Sequence, residues 1–435
     1  MSSGALPDRV PVGGPAGVMA SADAVVVGGG TVGGWCAWFL RQAGLERVLL
    51  VERDTLGQGA SSRAAGLVRG QGGTPAAVVL GAWSRDFYRG QQALLGTDSG
   101  FVEQGYYLPA FTEQQVAQAR ERMAMQQALG LEVEWLDADE AQRRNPTLAP
   151  GVTLGGTYAR GDGYLHPPRN VAAYAVALAT AGVQVAERTA FLGLTRSAGL
   201  IGTEQIGTGQ IGTGQIGTGQ TWTVQTSAGP VQTPRVVLTG GPELARVGEL
   251  AGIRLPAGGV RHQVAVTQPH PDLTPERLPM VFDVAAGLYW RPEDGGMLFG
   301  MSNPDEPPGP GDQVDWPYLE AMRARLAELV PATRGLGLRR VWAATIDYTP
   351  DHLPIPGPGI DAGGPMPGVT VASAGGHGMM WGPAVSRVAA DLALNGTTSV
   401  LDVTDLGLDR FDENGVSRLA ADPIALPFPE RAATS

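Results

Sequence analysis

Apolar residues along the chain gather in short runs that alternate with amphipathic stretches. The runs Ala24–Val27 and Val48–Val51 contain no polar position, the pattern of strands buried on both faces. Between them, residues 32–43 place Trp35, Cys36, Phe39 and Leu40 on one side of a helix, so the first 52 residues predict a strand, helix, strand unit. Further strands are predicted at 190–194, 221–226, 235–238, 263–267, 287–290, 297–300 and 369–373. Helices are predicted at 113–129, 168–181, 318–329 and 383–394.

Two segments fall outside this alternation. Residues 1–22 are rich in Gly, Pro and Ser and lack the basic start and apolar centre of a secretion signal, so a disordered leader on a cytoplasmic protein is expected. Residues 201–220 hold Ile-Gly-Thr-Glu-Gln and three copies of Ile-Gly-Thr-Gly-Gln between two predicted strands. Four short copies are too few to bury a face of their own, and the repeat is expected to be an expanded hairpin loop.

The 435 residues are 43% hydrophobic and 17% charged, and no apolar run approaches the roughly 20 residues of a membrane helix. A net charge of -11 disfavours nucleic acid and anionic lipid as partners. The single cysteine, Cys36, excludes an internal disulfide, and the five histidines, at 166, 262, 270, 352 and 377, show no metal-ligand spacing, so no metal site is expected. Every one of the 31 basic residues is arginine. Mechanisms that need a lysine amine or a Schiff base are thereby excluded.

The most informative segment is Val25-Val26-Val27-Gly28-Gly29-Gly30-Thr31-Val32-Gly33, a G-x-G-x-x-G between strand and helix. Gly28 permits the turn, Gly30 admits a pyrophosphate, Gly33 lets helix and strand pack, and Thr31 and Val32 open the helix whose N–H groups face the phosphates. Glu52 ends the second strand at the spacing from which a carboxylate accepts ribose hydroxyls. A nicotinamide or a flavin dinucleotide satisfies this pattern equally.

The segment 57–69, with Ser61, Ser62, Arg63, Ala65, Gly66 and Arg69, resembles the flavin-contacting loop of the D-amino-acid oxidase and sarcosine oxidase superfamily. Residues 236–241, residues 261–267 and Gly375-Gly376-His377-Gly378-Met379-Met380 carry the same resemblance. Asp347-Tyr348-Thr349-Pro350-Asp351-His352-Leu353-Pro354-Ile355 is similar to the D-x-T-P-D-x-x-P-I stretch of the sarcosine and proline dehydrogenase β-subunit branch.

The resemblance spans about residues 22–415 and implies an α/β fold: a doubly wound, glutathione-reductase-like FAD domain with an inserted mixed β-sheet and helical substrate domain. The implied FAD-domain segments are 23–90, 151–250 and 341–415, those of the substrate domain are 91–150 and 251–340, and 416–435 forms a tail. The implied flavin contacts add Arg53, Ser61, Ser62, Arg63, Ala65, Gly66, Gly376, Gly378 and Met379 to the glycine turn, with the Phe191 backbone at the adenine.

The implied chemistry is oxidation of the C–N bond of a small amino acid or a secondary or N-methyl amine, with a D-amino acid as the alternative substrate. A flavin-holding subunit of a hetero-oligomer, inactive without partners, is the competing role. Tyr289, Arg69 and Arg291 are candidate carboxylate partners, and His377 and His262 candidate pocket residues that tune the amine's protonation. His166, near a position where some relatives attach a second flavin, is expected to be structural. Arg63 stands where dimethylglycine dehydrogenases carry a flavin-linking histidine, which implies noncovalent FAD; oxygen or a redox partner accepts the electrons, and the missing oxygen-activating lysine favours a dehydrogenase.

Overall fold

The all-apolar run Ala24–Val27 lies at the centre of a six-stranded sheet, which explains why no position in it is polar. The computed structural model describes residues 18–197, 220–273 and 278–425. Along the sheet the order is 355–361, 364–373, 236–238, 24–27, 48–51 and 184–186, parallel throughout except for the antiparallel pair at the 355–361 edge. Alternate side chains serve two layers. Val26 and Leu50 face the helices Thr31–Gln42, Pro167–Ala181 and Gly382–Asn395, whereas Val25, Val27, Leu49 and Val51 face a three-stranded sheet of 191–196, 222–226 and 229–233.

A second, eight-stranded mixed sheet runs 338–348, 258–267, 296–301, 288–293, 280–283, 106–110, 155–159, 134–137. Its pairs are antiparallel except 280–283 with 106–110. One face packs Trp290 and Phe299 on the helix Trp316–Leu329; the other turns Tyr106, Phe282 and Tyr289 toward the dinucleotide side. That alternation is what brings the second sheet's aromatic residues to the site.

Several expectations are corrected. The strands 155–159 and 338–348, placed by sequence in the FAD domain, belong to the eight-stranded sheet, because 155–159 is sandwiched between 106–110 and 134–137 and 338–348 pairs along 258–267. Residues 18–22 are not a loose leader: Ser21 bridges to Gln232 and Ala22 is buried. Residues 416–425 are not a free tail but fold back toward the second sheet, with Ile424 fully buried. The 21-residue helix Pro75–Leu95 was not predicted, since its buried face mixes small and polar residues (Ala77, Gly81, Ser84, Gln91) and dilutes the apolar period. The strands flanking the repeat pair antiparallel, Arg196 opposite Trp222; residues 198–219, with nearly all of the repeat, and 1–17 lie outside the described residues. Among the described residues no helix is long and apolar enough to cross a membrane.

Candidate active site

The glycine turn is enforced by contact. At Gly28, φ is +103°, and a Cβ there would lie 2.7 Å from the Thr239 carbonyl oxygen. At Gly33 a Cβ would lie 1.9 Å from the Gly28 carbonyl oxygen, so only glycine lets the helix start against the strand. No acidic side chain occupies the first turn of that helix, so no carboxylate competes with an anion for the N–H groups of Val32 and Gly33. Across the turn, Ser61 Oγ accepts from the Thr31 N–H at 2.9 Å. Glu52 closes the far side: its Oε2 accepts from Gly29 N–H at 2.6 Å and its Oε1 from Asp54 N–H at 2.8 Å.

This turn borders a cavity of about 580 Å³. At one end lie Glu52, Arg53 and Phe191; in the middle Gly28, Gly30, Thr31, Val32, Gly33, Ser61 and Arg63; farther on Ala65, Gly66, Gly376, Gly378 and Met379. An extended dinucleotide fits this donor set, with a helix N-terminus for the pyrophosphate and a carboxylate for a ribose. Ser62 does not line the cavity; its N–H bonds the Gly57 carbonyl and its role is to close the 60–62 turn that presents Ser61.

Beyond Ala65, the cavity wall passes to the second sheet. Tyr289 is buried, and its hydroxyl lies 2.6 Å from His262 Nε2; His262 Nδ1 lies 2.8 Å from Ser302 Oγ. Burial lowers the pKa of His262 to about 4 and raises that of Tyr289, so both are neutral near pH 7. His377 is also buried, with its pKa lowered to about 3, chiefly by desolvation and then by Arg69 and His352. Its Nδ1 lies 3.1 Å from the Gly375 carbonyl, which can only accept, so the proton sits on Nδ1 and Nε2 is left as an acceptor.

Arg69, 3% exposed, lines the same end. Its guanidinium donates to the carbonyls of Gln71 and of Ile424 (2.7 Å) and lies over the Phe282 ring. Among the described residues it has no carboxylate partner. Arg291 differs. It forms a 2.5 Å ion pair with Glu293, donates to the Ala65 carbonyl, stacks on Tyr164 and does not line the cavity, so its candidacy as a substrate partner is corrected. His166 precedes the helix Pro167–Ala181 and is exposed outside the cavity.

Tyr106, Phe282 and Asp347 are among the lining residues not singled out from the sequence. Tyr106 is buried, and its hydroxyl has no acceptor among the described residues. Phe282 lies on the strand Met280–Asp283, too short to register as a period. Asp347 accepts from Ser373 Oγ at 3.0 Å and holds the 373–376 turn; the motif around it was visible, but not its place in the site.

Comparison with known proteins agrees with this arrangement. Residues 23–392 match the family described as FAD dependent oxidoreductase. The chain is 26% identical over 397 residues to 4-methylaminobutanoate oxidase (formaldehyde-forming) of Paenarthrobacter nicotinovorans, covering 89% of this chain and 45% of the relative. It is 25% identical over 386 residues to mitochondrial sarcosine dehydrogenase of Mus musculus, covering 86% and 40%. The chain therefore spans less than half the length of these two relatives. Glycine oxidase from Geobacillus kaustophilus superposes with a TM-score of 0.74 at 26% identity over 91% of this chain and 100% of the other. L-proline dehydrogenase from P. horikoshii shares the fold, with a TM-score of 0.77 at 23% identity over 88% and 96%. With the motif, the double-sheet architecture and 370 matched positions in agreement, the chain belongs to the FAD dependent oxidoreductase family, whose members include amine and amino acid oxidoreductases.

Proposed function

We propose that the protein oxidises the C–N bond of a small carboxylate-bearing secondary or N-methyl amine, sarcosine- or proline-like, to an imine that water hydrolyses. Noncovalently bound FAD supplies the two-electron acceptor for the hydride that leaves the α carbon. The observation that carries the reading is one cavity end that joins a buried arginine with no carboxylate partner among the described residues, Arg69, to a neutral Tyr289–His262 couple. A buried guanidinium paired with carbonyls rather than a carboxylate favours an anionic ligand, and Tyr106, which lines the same cavity, offers a hydroxyl as a further donor. The substrate nitrogen must be neutral to lose hydride from its α carbon, and a buried end whose Tyr289–His262 couple is itself neutral favours the uncharged amine by the same desolvation. Sequestration in the buried end keeps water from the reacting carbon. The similarity to a 4-methylaminobutanoate oxidase and a sarcosine dehydrogenase supports an N-methyl amine. Noncovalent attachment is supported by the single cysteine, which is buried in the core away from the cavity.

The test is an anaerobic titration of the flavin-loaded protein with sarcosine, proline, dimethylglycine, 4-methylaminobutanoate and D-amino acids. Bleaching of the visible flavin absorbance by an N-methyl or cyclic amine is the expected result, and reoxidation in air or only by an added dye then separates oxygen from a redox partner as acceptor. Bleaching by D-amino acids alone would overturn the substrate class, and a yellow protein that no amine reduces would overturn the reaction.

A further inference from the structure

The sequence 404–425 leaves the dinucleotide sheet and returns to pack on residues that line the cavity, and its path is fixed by one residue of the Asp347–Ile355 motif. Asp351 is buried and receives two bonds from the fully buried Arg410, at 2.7 and 3.0 Å. It also accepts from Ser417 Oγ at 2.6 Å, and its carbonyl accepts from Asp422 N–H at 3.2 Å. The segment is thus tied at 410, 417 and 422 to a single anchor. Beyond the last tie it forms a turn. Asp422 Oδ1 accepts from Ile424 N–H at 2.9 Å, the Asp422 carbonyl accepts from Ala425 N–H, and Oδ2 accepts from Gly73 N–H at 3.4 Å.

That turn ends on the substrate side. The Ile424 side chain is fully buried among Ala65, Tyr106, Phe282 and Tyr289, and its carbonyl accepts from Arg69 Nη2 at 2.7 Å. Gly73 sits four residues from Arg69 on the loop whose Gly70 N–H is held by the buried Asp162. The two contacts made by the turn therefore bracket the loop that carries the arginine: one at its guanidinium and one at its backbone. A guanidinium fork recognises a carboxylate bidentately only when its plane is set, and a long side chain left free loses rotamer entropy on binding.

We infer that the C-terminal strap is a positioning element for substrate carboxylates and that Asp422 is its positioning residue, acting through the Ile424 carbonyl on Arg69. The inference rests on the reading of Arg69 as the carboxylate partner. Asp422 touches no reacting atom; it presents the acceptor that fixes the fork.

The test uses full-length flavin-loaded protein and acetate as a probe that cannot be oxidised, its binding followed by perturbation of the flavin spectrum. Asp422→Ala is expected to weaken acetate binding about tenfold, and to raise KM for the accepted amine more than it lowers the limiting rate of flavin reduction. Asp422→Asn, which keeps an oxygen for the Ile424 N–H, is expected to recover most of the loss. Melting temperature and flavin content are measured for each variant. Unchanged acetate affinity in Asp422→Ala, or an equal loss in Ile424→Ala, which keeps both turn and carbonyl, would overturn the assignment. Absence of acetate binding by the unsubstituted protein would refute the Arg69 reading and the strap with it. Asp422-dependent acetate binding in a protein that no amine reduces would keep the strap and remove only the reaction.

Discussion

Tyr289→Phe removes one oxygen and leaves the ring in its cluster with Tyr106, Phe282 and Leu298, so burial of apolar surface is preserved and the change isolates one hydrogen bond. That bond runs 2.6 Å to His262 Nε2, and both rings line the cavity. His262 is neutral and buried, so the lost partner leaves a polar nitrogen without a bond where water is scarce, at a cost of about 1–3 kcal/mol. Combined with His262→Leu in a double-variant cycle, the pair should show a coupling of about 1–2 kcal/mol by denaturant unfolding. The limiting rate of flavin reduction should fall about tenfold, the scale of one lost hydrogen bond to an oriented hydroxyl. Flavin affinity should not change, because neither residue contacts the glycine turn. A coupling below about 0.5 kcal/mol together with a reduction rate within about twofold of the parent would refute the role given to the pair.

Other outcomes follow from the same contacts. Gly33→Ala, whose Cβ would meet the Gly28 carbonyl oxygen at 1.9 Å, should abolish flavin retention on purification, while Gly90→Ala, with nothing within 4 Å on a helix, should retain flavin and gain roughly 1 kcal/mol of stability; equal flavin content would show that the turn tolerates a side chain. His262 and His377 have folded pKa values of about 4 and 3 against 6.5 unfolded, so the unfolded chain binds the extra protons and stability is lost as pH falls below 6.5; each contributes a slope of up to about 1.4 kcal/mol per pH unit down to its folded pKa. Urea unfolding of His377→Asn should show a shallower loss between pH 6.5 and 4, and a parallel profile would refute that histidine's burial in its neutral form. Asp351→Ala strands the buried Arg410 charge and should cost about 3–5 kcal/mol, with Arg410→Met recovering part of it; a melting temperature unmoved by Asp351→Ala would contradict the ion pair as described.

The dinucleotide half of the site was legible because its determinants are local. Gly28 to Gly33 and Glu52 lie within one strand, helix, strand unit, and the steric reasons for each glycine act across a few residues. The substrate half was not, since it is assembled by pairing between distant strands. Tyr106 reaches the cavity because 106–110 pairs in parallel with 280–283, a register no local period announces. The link from Arg69 to Ile424 spans 355 residues and runs through a main-chain carbonyl, an acceptor every residue type carries.

The two arginines show where a finer reading of the sequence could have gone further. Arg69 and Arg291 entered as equal candidates, and what separates them is a counter-charge. The strand 288–293 extends past the predicted 287–290, and along it Tyr289, Arg291 and Glu293 fall on one face at period two. Glu293 is therefore obliged to lie beside Arg291, and the buried guanidinium beside a half-buried carboxylate makes their ion pair the favoured state; the pKa of Glu293 is lowered on balance, with Arg291 the chief opponent of its desolvation. Arg69 has Leu67 and Gln71 at the same spacing, neither a carboxylate, and reaches the cavity with carbonyls as its partners. An arginine in a strand with a carboxylate two residues along is satisfied by its own chain, and that spacing in the sequence is enough to separate Arg291 from Arg69.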